Sequence, residues 1–256
     1  MTDLGSLPGG VNSQAHAINN SGIVVGDSEI GGVSGSVAFI CQNGNMSAIP
    51  GLESTPSGAE AVSGSGLVAG ALYSNGGSIE HAFLFDGTLH DLGSLGGPMA
   101  WAIGVNDAGL VTGTFITPTT NDAHAFVYRQ GEMNDMGTLG GDWSISEGLN
   151  GIGQVVGYAA TSSGASHGFL YSEGRMVDLN SLIDSSLRWS IHSAIGINDE
   201  GEIICNAVSS RSEYQSFLLS PVPEPSSCAI LTLCSVLMQC VCRRAVGRVG
   251  STPRAP

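Results

Sequence analysis

A unit of about 44 residues repeats five times along this chain, and this repeat restricts the possible folds more than any other feature of the sequence. An apolar segment containing a phenylalanine marks each unit, at Phe39, Phe83, Phe126, Phe169 and Phe217. Before each phenylalanine come a Gly-containing turn, mostly Asn-rich, and a short strand rich in β-branched residues, as in GVNDAG and LVTG. Asn, Asp and Gly tolerate the positive φ angles that tight hairpins need. Each unit is therefore predicted to form four short strands joined by turns, in an all-β protein.

Four-stranded units with a period of 40 to 45 residues are typical of β-propeller blades. The repeats span about 11–50, 51–95, 96–139, 140–182 and 183–220, and the last one lacks a fourth strand. The first ten residues, MTDLGSLPGG, match LHDLGSLGG at 89–97. We therefore predict a five-bladed β-propeller in residues 1–220, closed by residues 1–7 as the outer strand of the fifth blade. An open or solenoid stack of the same units is the alternative.

The segment after the repeats has three parts. Residues 221–225 (PVPEP) are predicted to form an extended linker, because proline fixes φ and removes a hydrogen-bond donor. Residues 226–242 carry no charge and are predicted to form a transmembrane helix at the lower limit of length, with a buried core helix as the alternative. Arg243, Arg244 and Arg248 place residues 243–256 in the cytoplasm by the positive-inside rule, with the repeats outside.

Two groups of residues carry a family resemblance. The tail, with Pro223, Glu224 and Pro225 before an apolar segment and the Arg243–Arg244 pair, resembles a PEP-CTERM sorting signal. The repeats resemble the HAF-type extracellular repeat family, through HAF-type triplets at His81, His124 and His167 and the strands DLGSLGG and DMGTLGG. The resemblance implies an exosortase-type membrane enzyme that cleaves near Pro223–Pro225 and delivers the protein to the cell envelope or extracellular matrix. Because such proteins are exported, we expect a signal peptide upstream of Met1; the alternative is that this copy is not exported efficiently.

Charge excludes one class of partner. The chain has no lysine, and residues 1–225 carry four arginines against all 22 acidic residues, a formal charge of −18. Such a surface repels phosphate backbones, so nucleic-acid binding is excluded, whereas Ca²⁺ is a conceivable companion. No cofactor is predicted. Cys41 and Cys205 could pair if the first and last repeats touch, but two separate buried thiols are the simpler interpretation.

Recurring polar residues are candidates for chemistry, and two interpretations are open. Equivalent histidines (His81, His124, His167) and acids (Asp3, Asp91, Asp135, Asp178) could bind metal ions, including Ca²⁺ in loops. Equivalent side chains on successive blades diverge, however, so a structural hydrogen bond repeated in each unit is the preferred interpretation. No residue stands out as a catalytic acid, base or nucleophile, and none of the familiar catalytic motifs occurs.

Ligand binding is predicted on the long connections between the second and third strands, such as Thr114–Ala123, which share a face with the connections between blades. Trp101, Trp143 and Trp189 follow the blade-to-blade connections and could stack on a sugar or a peptide, or pack between blades. The sequence thus favours a non-catalytic surface or matrix protein that binds exopolysaccharide or another envelope component. A propeller glycoside hydrolase or lyase, with carboxylates converging on the central channel, is the alternative.

Overall fold

The computed structural model describes residues 1–74, 79–222 and 238–240, which form five four-stranded antiparallel sheets. The first sheet contains β1 (Ser13–Ile18), β2 (Val24–Glu29), β3 (Ser36–Gln42) and β4 (Asn45–Ala48). The second contains β5 (Ser57–Val62), β6 (Val68–Tyr73), β7 (Ile79–Phe85) and β8 (Leu89–Gly93). The third contains β9 (Ala100–Val105), β10 (Val111–Ile116), β11 (Ala123–Arg129) and β12 (Glu132–Asp135). The fourth contains β13 (Gly140–Leu149), β14 (Val155–Thr161), β15 (Ser166–Ser172) and β16 (Arg175–Asp178). The fifth contains β17 (Trp189–Ile197), β18 (Ile203–Ser209), β19 (Tyr214–Pro221) and β20 (Met238–Cys240).

Every sheet is a meander in which each strand pairs with the next one along the chain. The turn between the first and second strands is closed by its asparagine: in the third sheet, Asn106 Oδ1 accepts hydrogen bonds from the backbone N–H groups of Ala108 and Leu110. Gly109 follows with φ 73°, a conformation that favours glycine. Two single-turn 3₁₀ helices, Leu179–Ser181 and Ser185–Leu187, connect the fourth and fifth sheets. The predicted all-β repeat of four-stranded units is therefore confirmed.

The hydrophobic core lies between consecutive sheets. The first strand of each sheet packs against the second and third strands of the preceding sheet, in chain order from the first to the fifth. The repeated phenylalanine is fully buried in the first four sheets, at Phe39, Phe83, Phe126 and Phe169. Burying one such side chain stabilises the fold by about 1.5–3 kcal/mol, so the repeat's most regular residue is also a principal source of its stability.

The closed five-bladed propeller is wrong, because the described residues form no closed ring. Among them, the fifth sheet has no packing against the first that is comparable to the four consecutive interfaces. The residues of β1 are exposed except for the half-buried Ala17. The five sheets thus form an open stack, which we call the sheet stack.

The predicted closing strand lies elsewhere. Residues 1–7 form no strand, and they contact the first sheet rather than the fifth: Leu7 is buried against β3, and its N–H donates to Ser28 Oγ at 3.0 Å. The match between residues 1–10 and 89–97 is nevertheless structural. Gly5 N donates to Asp3 Oδ1 at 2.9 Å, as Gly93 N does to Asp91 Oδ1. The matching residues therefore build the connection that enters a sheet, and here that sheet is the first one.

The tail also departs from prediction. Met238–Cys240, at the end of the predicted transmembrane helix 226–242, form β20, which pairs antiparallel with Leu219–Pro221 at the edge where residues 1–7 were expected. The helix is therefore wrong in this part, and the remainder of 226–242 lies outside the described residues, as does the basic segment 243–256. Within the described ranges, no helix is long and apolar enough to cross a membrane.

The two cysteines of the repeats do not form a disulfide bond with each other. Cys41 is buried in the first sheet and Cys205 in the fifth. Because the ends of the sheet stack do not meet, Cys41 and Cys205 stay apart from each other.

Candidate groove beside His124

The recurring histidines and acids pair with each other across the third and fourth strands. The Nδ1 atom of each histidine lies within hydrogen-bond distance of the acid: His81 to Asp91 at 2.9 Å, His124 to Asp135 at 2.8 Å, and His167 to Asp178 at 2.7 Å. The same acids also accept from a backbone N–H two residues later, as Asp135 does from Gly137 at 2.7 Å. These pairs fasten the fourth strand to the third, so the prediction of a repeated structural hydrogen bond is confirmed.

A groove of about 530 Å³ opens beside the His124–Asp135 pair. We call it the His124 groove. One wall is the connection between β10 and β11, residues 117–122, and the other comes from Leu95, in the connection that enters the third sheet, and from Gly141 and Asp142 at the start of β13. Second-to-third connections and sheet-to-sheet connections therefore share one face, as the sequence predicts. The volume falls within the range of small-ligand sites.

The conformation of the 117–122 connection is held by its own polar groups. Thr117 is buried, and its Oγ1 lies 2.8 Å from Thr120 Oγ1 and accepts from Asp122 N at 3.0 Å. Asn121 has φ 63°, which asparagine adopts more readily than most residues. The connection is thus ordered before any ligand arrives, which lowers the entropic cost of binding.

The His124 groove offers hydroxyl and carboxylate groups around an apolar floor. Thr119 and Asp142 are exposed, and Phe115 lies beneath, with its ring 6.0 Å from the His124 ring in an edge-on contact. His124 Nε2 lies 3.2 Å from the Asp142 carbonyl oxygen, so both ring nitrogens are engaged within the fold. The ring therefore shapes the groove and has no free nitrogen for a metal or for proton transfer in this arrangement.

The first strands of the five sheets, which we call the inner strands, carry the described residues that come closest to a catalytic pattern. Each first strand has a bulged residue near its middle that is left out of the pairing with the second strand, and these residues are His16, Glu60, Ile103, Glu147 and Ile195. The fourth and fifth sheets also leave residues 141–143 and His192 out of this pairing. His16 Nδ1 lies 3.0 Å from Glu60 Oε2 and His16 Nε2 lies 3.3 Å from Asp27 Oδ1, so Glu60 is occupied by an ion pair when His16 is protonated. Glu60 lies in the second sheet and Glu147 in the fourth, and the third sheet between them has Ile103 at the equivalent position. These five equivalent positions, which we call the inner-strand row, therefore contain no carboxylates in adjacent sheets.

Two groups near this row have shifted acidity. Burial raises the pKa of Tyr73 to about 12, and the negative charges of Glu60 and Asp27 add to the effect. Burial also raises the pKa of Glu147. Both shifts disfavour the charged form, as expected for polar groups partly removed from water.

The three tryptophans do not come together. Trp101, Trp143 and Trp189 lie on β9, β13 and β17, and each is half-buried. Trp143 packs edge-on against Tyr158 at 5.7 Å, and Trp189 against Phe217 at 5.2 Å. None of the three lines the His124 groove, and Trp189 borders a separate apolar cavity of about 90 Å³. The contacts of Trp143 and Trp189 favour packing over ligand stacking.

Other predicted site residues are tested less directly. Pro223, Glu224, Pro225, Arg243 and Arg244 lie outside the described residues. For Ca²⁺, the described ranges contain no group of three or more His, Cys, Asp or Glu side chains arranged to hold a metal ion.

A comparison with protein-family models and with curated proteins found no match, so the resemblance to HAF-type repeats and PEP-CTERM signals stays a prediction.

Sequence reasoning located the connection at 114–123 but missed the residues that make it a groove. Thr119 and Leu95 come from two different connections and Asp142 from the start of β13, and their meeting depends on how neighbouring sheets pack. The only local signal was the TPTTND segment at 117–122, in which hydroxyl and acidic residues are concentrated.

Proposed function

We propose that this chain is an exported, non-catalytic repeat protein of the cell surface or extracellular matrix, which binds an uncharged, hydroxyl-rich polymer such as exopolysaccharide. The His124 groove is the binding site. The tail residues Pro223–Pro225 and Arg243–Arg244 serve as a PEP-CTERM-type signal for processing by an exosortase-type enzyme.

The chemistry of the His124 groove supports this choice of ligand. Sugar hydroxyls both donate and accept hydrogen bonds, and the groove supplies hydroxyls from Thr119 and Thr120 and carboxylates from Asp122 and Asp142. The strongly negative repeats repel an anionic polymer, which favours a neutral one. This combination of groups along an open groove is the single observation that carries the proposal.

A non-catalytic role is supported by how the polar residues are used. The repeated His–Asp pairs fasten strands, and the inner-strand Glu60 is bound to His16. Glycoside cleavage needs two carboxylates on either side of one bond, about 5–10 Å apart. Asp27 and Glu60 both contact His16, at 3.3 and 3.0 Å, so this carboxylate pair is engaged within the fold, which favours the non-catalytic role.

The proposal is tested with neutral polysaccharides. In affinity electrophoresis through gels containing a soluble galactomannan or a soluble glucan, we expect the chain to be retarded. Replacing Thr119 and Asp142 together (T119A/D142A) should weaken retardation more than fivefold, because a lost hydrogen bond contributes about 1 kcal/mol. Both side chains are exposed, so the variant is expected to fold normally.

Ser162→Ala is the matched control. Ser162 is an exposed residue in the corresponding connection of the fourth sheet, and it does not line the His124 groove. This variant should bind like the parent chain. Equal retardation of the parent and T119A/D142A, or no retardation of the parent by either polymer, would contradict the proposal.

A further inference from the structure

The four interfaces inside the sheet stack use the same turn to join successive sheets. Asn19 Nδ2 donates to the Ser63 carbonyl at 2.9 Å, and Asn150 Nδ2 donates to the Asn198 carbonyl at 2.9 Å, in each case from one sheet to the next. The same turns join the second and third sheets through a different group, since Ser65 N donates to Asp107 Oδ1 at 2.7 Å. The same kind of interface is therefore repeated. Each sheet packs one face, its predecessor face, against the preceding sheet and the other, its successor face, against the following sheet.

In the part of the chain that the structure describes, no element covers the successor face of the fifth sheet. Ile204 is 49% exposed and Leu218 is 45% exposed. The positions equivalent to Ile204 in the four earlier sheets are fully buried, and they are Val25, Ala69, Thr112 and Val156. The positions equivalent to Leu218 in the second, third and fourth sheets are also buried, and they are Leu84, Val127 and Leu170. The last sheet thus keeps the apolar residues of an interface without the next sheet that would cover them.

The first sheet leaves its predecessor face uncovered. Ser13 and Ala15 of β1 are exposed, whereas the equivalent Ser57 and Ala59 of β5 are fully buried against the first sheet. Ser57 Oγ accepts from Ala38 N at 2.9 Å across that interface, and Ser144 Oγ accepts from Ala125 N at 2.9 Å across the third. Ser13 holds the same position but faces no preceding sheet.

We propose that the two end faces bind each other between molecules: the first sheet of one copy docks on the fifth sheet of a second copy. The surface continues an interface that the chain already forms four times, so shape, apolar side chains and polar partners match by repetition. Each copy has one face of each kind, which makes the contact heterologous. Association therefore proceeds head to tail and continues beyond a dimer as concentration rises.

Charge sets the conditions for this association. Both copies are strongly acidic, and the two ends repel each other at long range. Salt screens such repulsion, with a Debye length near 10 Å at about 0.1 M. Assembly should consequently be stronger at high ionic strength, the reverse of an interface held by opposite charges.

Sedimentation velocity of the full chain tests the inference. In 0.5 M NaCl the weight-average sedimentation coefficient should rise with protein concentration, and less so in 20 mM NaCl. Ile204→Glu should abolish the rise, because the substitution buries a charge in the proposed contact. Ile152→Glu is the control: Ile152 is also exposed but lies in a turn of the fourth sheet, so its assembly should match the parent's.

A mixing experiment tests the head-to-tail geometry. Ala15→Glu blocks the first-sheet face and Ile204→Glu blocks the fifth-sheet face, so each variant alone should be monomeric. A mixture of the two retains one intact pair of faces and should give a dimer and nothing larger. Circular dichroism melting checks that both variants are folded, and Leu218→Glu replaces Ile204→Glu if the latter is not.

Three results would overturn the inference. One is a parent chain that stays monomeric at all concentrations and salt conditions, including the case in which another segment of the same chain shields Ile204 from solvent. The second is assembly that Ile204→Glu leaves unchanged. The third is a mixture of folded variants that forms no dimer.

Discussion

At the scale of single residues, glycine governs how close the strands come. The glycine of each second strand that lies opposite the bulged first strand is Gly26, Gly70, Gly113 or Gly157. A Cβ atom on Gly113 would lie 2.0 Å from the Trp101 carbonyl oxygen and 2.7 Å from the Phe126 ring. The fifth sheet has Cys205 there, opposite Ala194 of its first strand. The repeated glycine could be recognised in the sequence, but its close contact with a carbonyl oxygen of the neighbouring strand could not.

Gly113→Ala should lower the free energy of unfolding by about 3 kcal/mol, because the carbonyl and the buried ring must both shift to admit a methyl group. Urea denaturation followed by circular dichroism measures the change. Cys205→Ala is the control, since this position already carries a Cβ atom, and its cost should be about 1 kcal/mol. If Gly113→Ala costs no more than Cys205→Ala, the close approach of the strands is not as described.

At the scale of elements, the turns between first and second strands do more than reverse the chain. Asn106, Asp107, Asn198 and Asp199 were predicted as turn formers, and Asn106 and Asn198 do accept bonds from their own turns. Asp107 and Asp199 also accept from the preceding repeat, and the Ser65 N–H, followed by the Ser63 and Ser65 side chains, lowers the pKa of Asp107. Turn chemistry is local and predictable from sequence, whereas these bonds between repeats depend on packing.

A pair of variants isolates one such bond. Asn150 and Asn198 bond their own turns in the same way, but Asn150 Nδ2 also donates to the Asn198 carbonyl, which accepts from Gly201 N as well. Asn150→Ala should therefore cost about 1 kcal/mol more than Asn198→Ala, because only the former removes a hydrogen bond between sheets. Chemical denaturation of both variants gives the difference, and equal costs would show that the inter-sheet bond contributes nothing.

At the scale of the whole molecule, the five sheets could be predicted from the sequence, but whether they close into a ring could not. Strand and turn signals lie within each 44-residue unit, so the sheets were predictable. Whether residues 1–7 pair with β19 or lie on the first sheet depends on which surface buries Leu7, and the sequence match suited both outcomes. The His124 groove needs two connections and the start of β13, which come from neighbouring sheets, so local sequence patterns could not predict it.

The open sheet stack is the central claim, because the uncovered end faces depend on it. It is tested by electron–electron distances between spin labels at two pairs of positions, in a chain whose native cysteines are replaced. Asp122 and Asp142 line one groove and form the reference pair. Val11 and Glu213 are the equivalent positions at the two ends, and both are exposed. With labelled chain diluted in unlabelled chain, the account predicts a distinctly longer distance for Val11–Glu213 than for Asp122–Asp142; equal short distances would mean that the ring is closed.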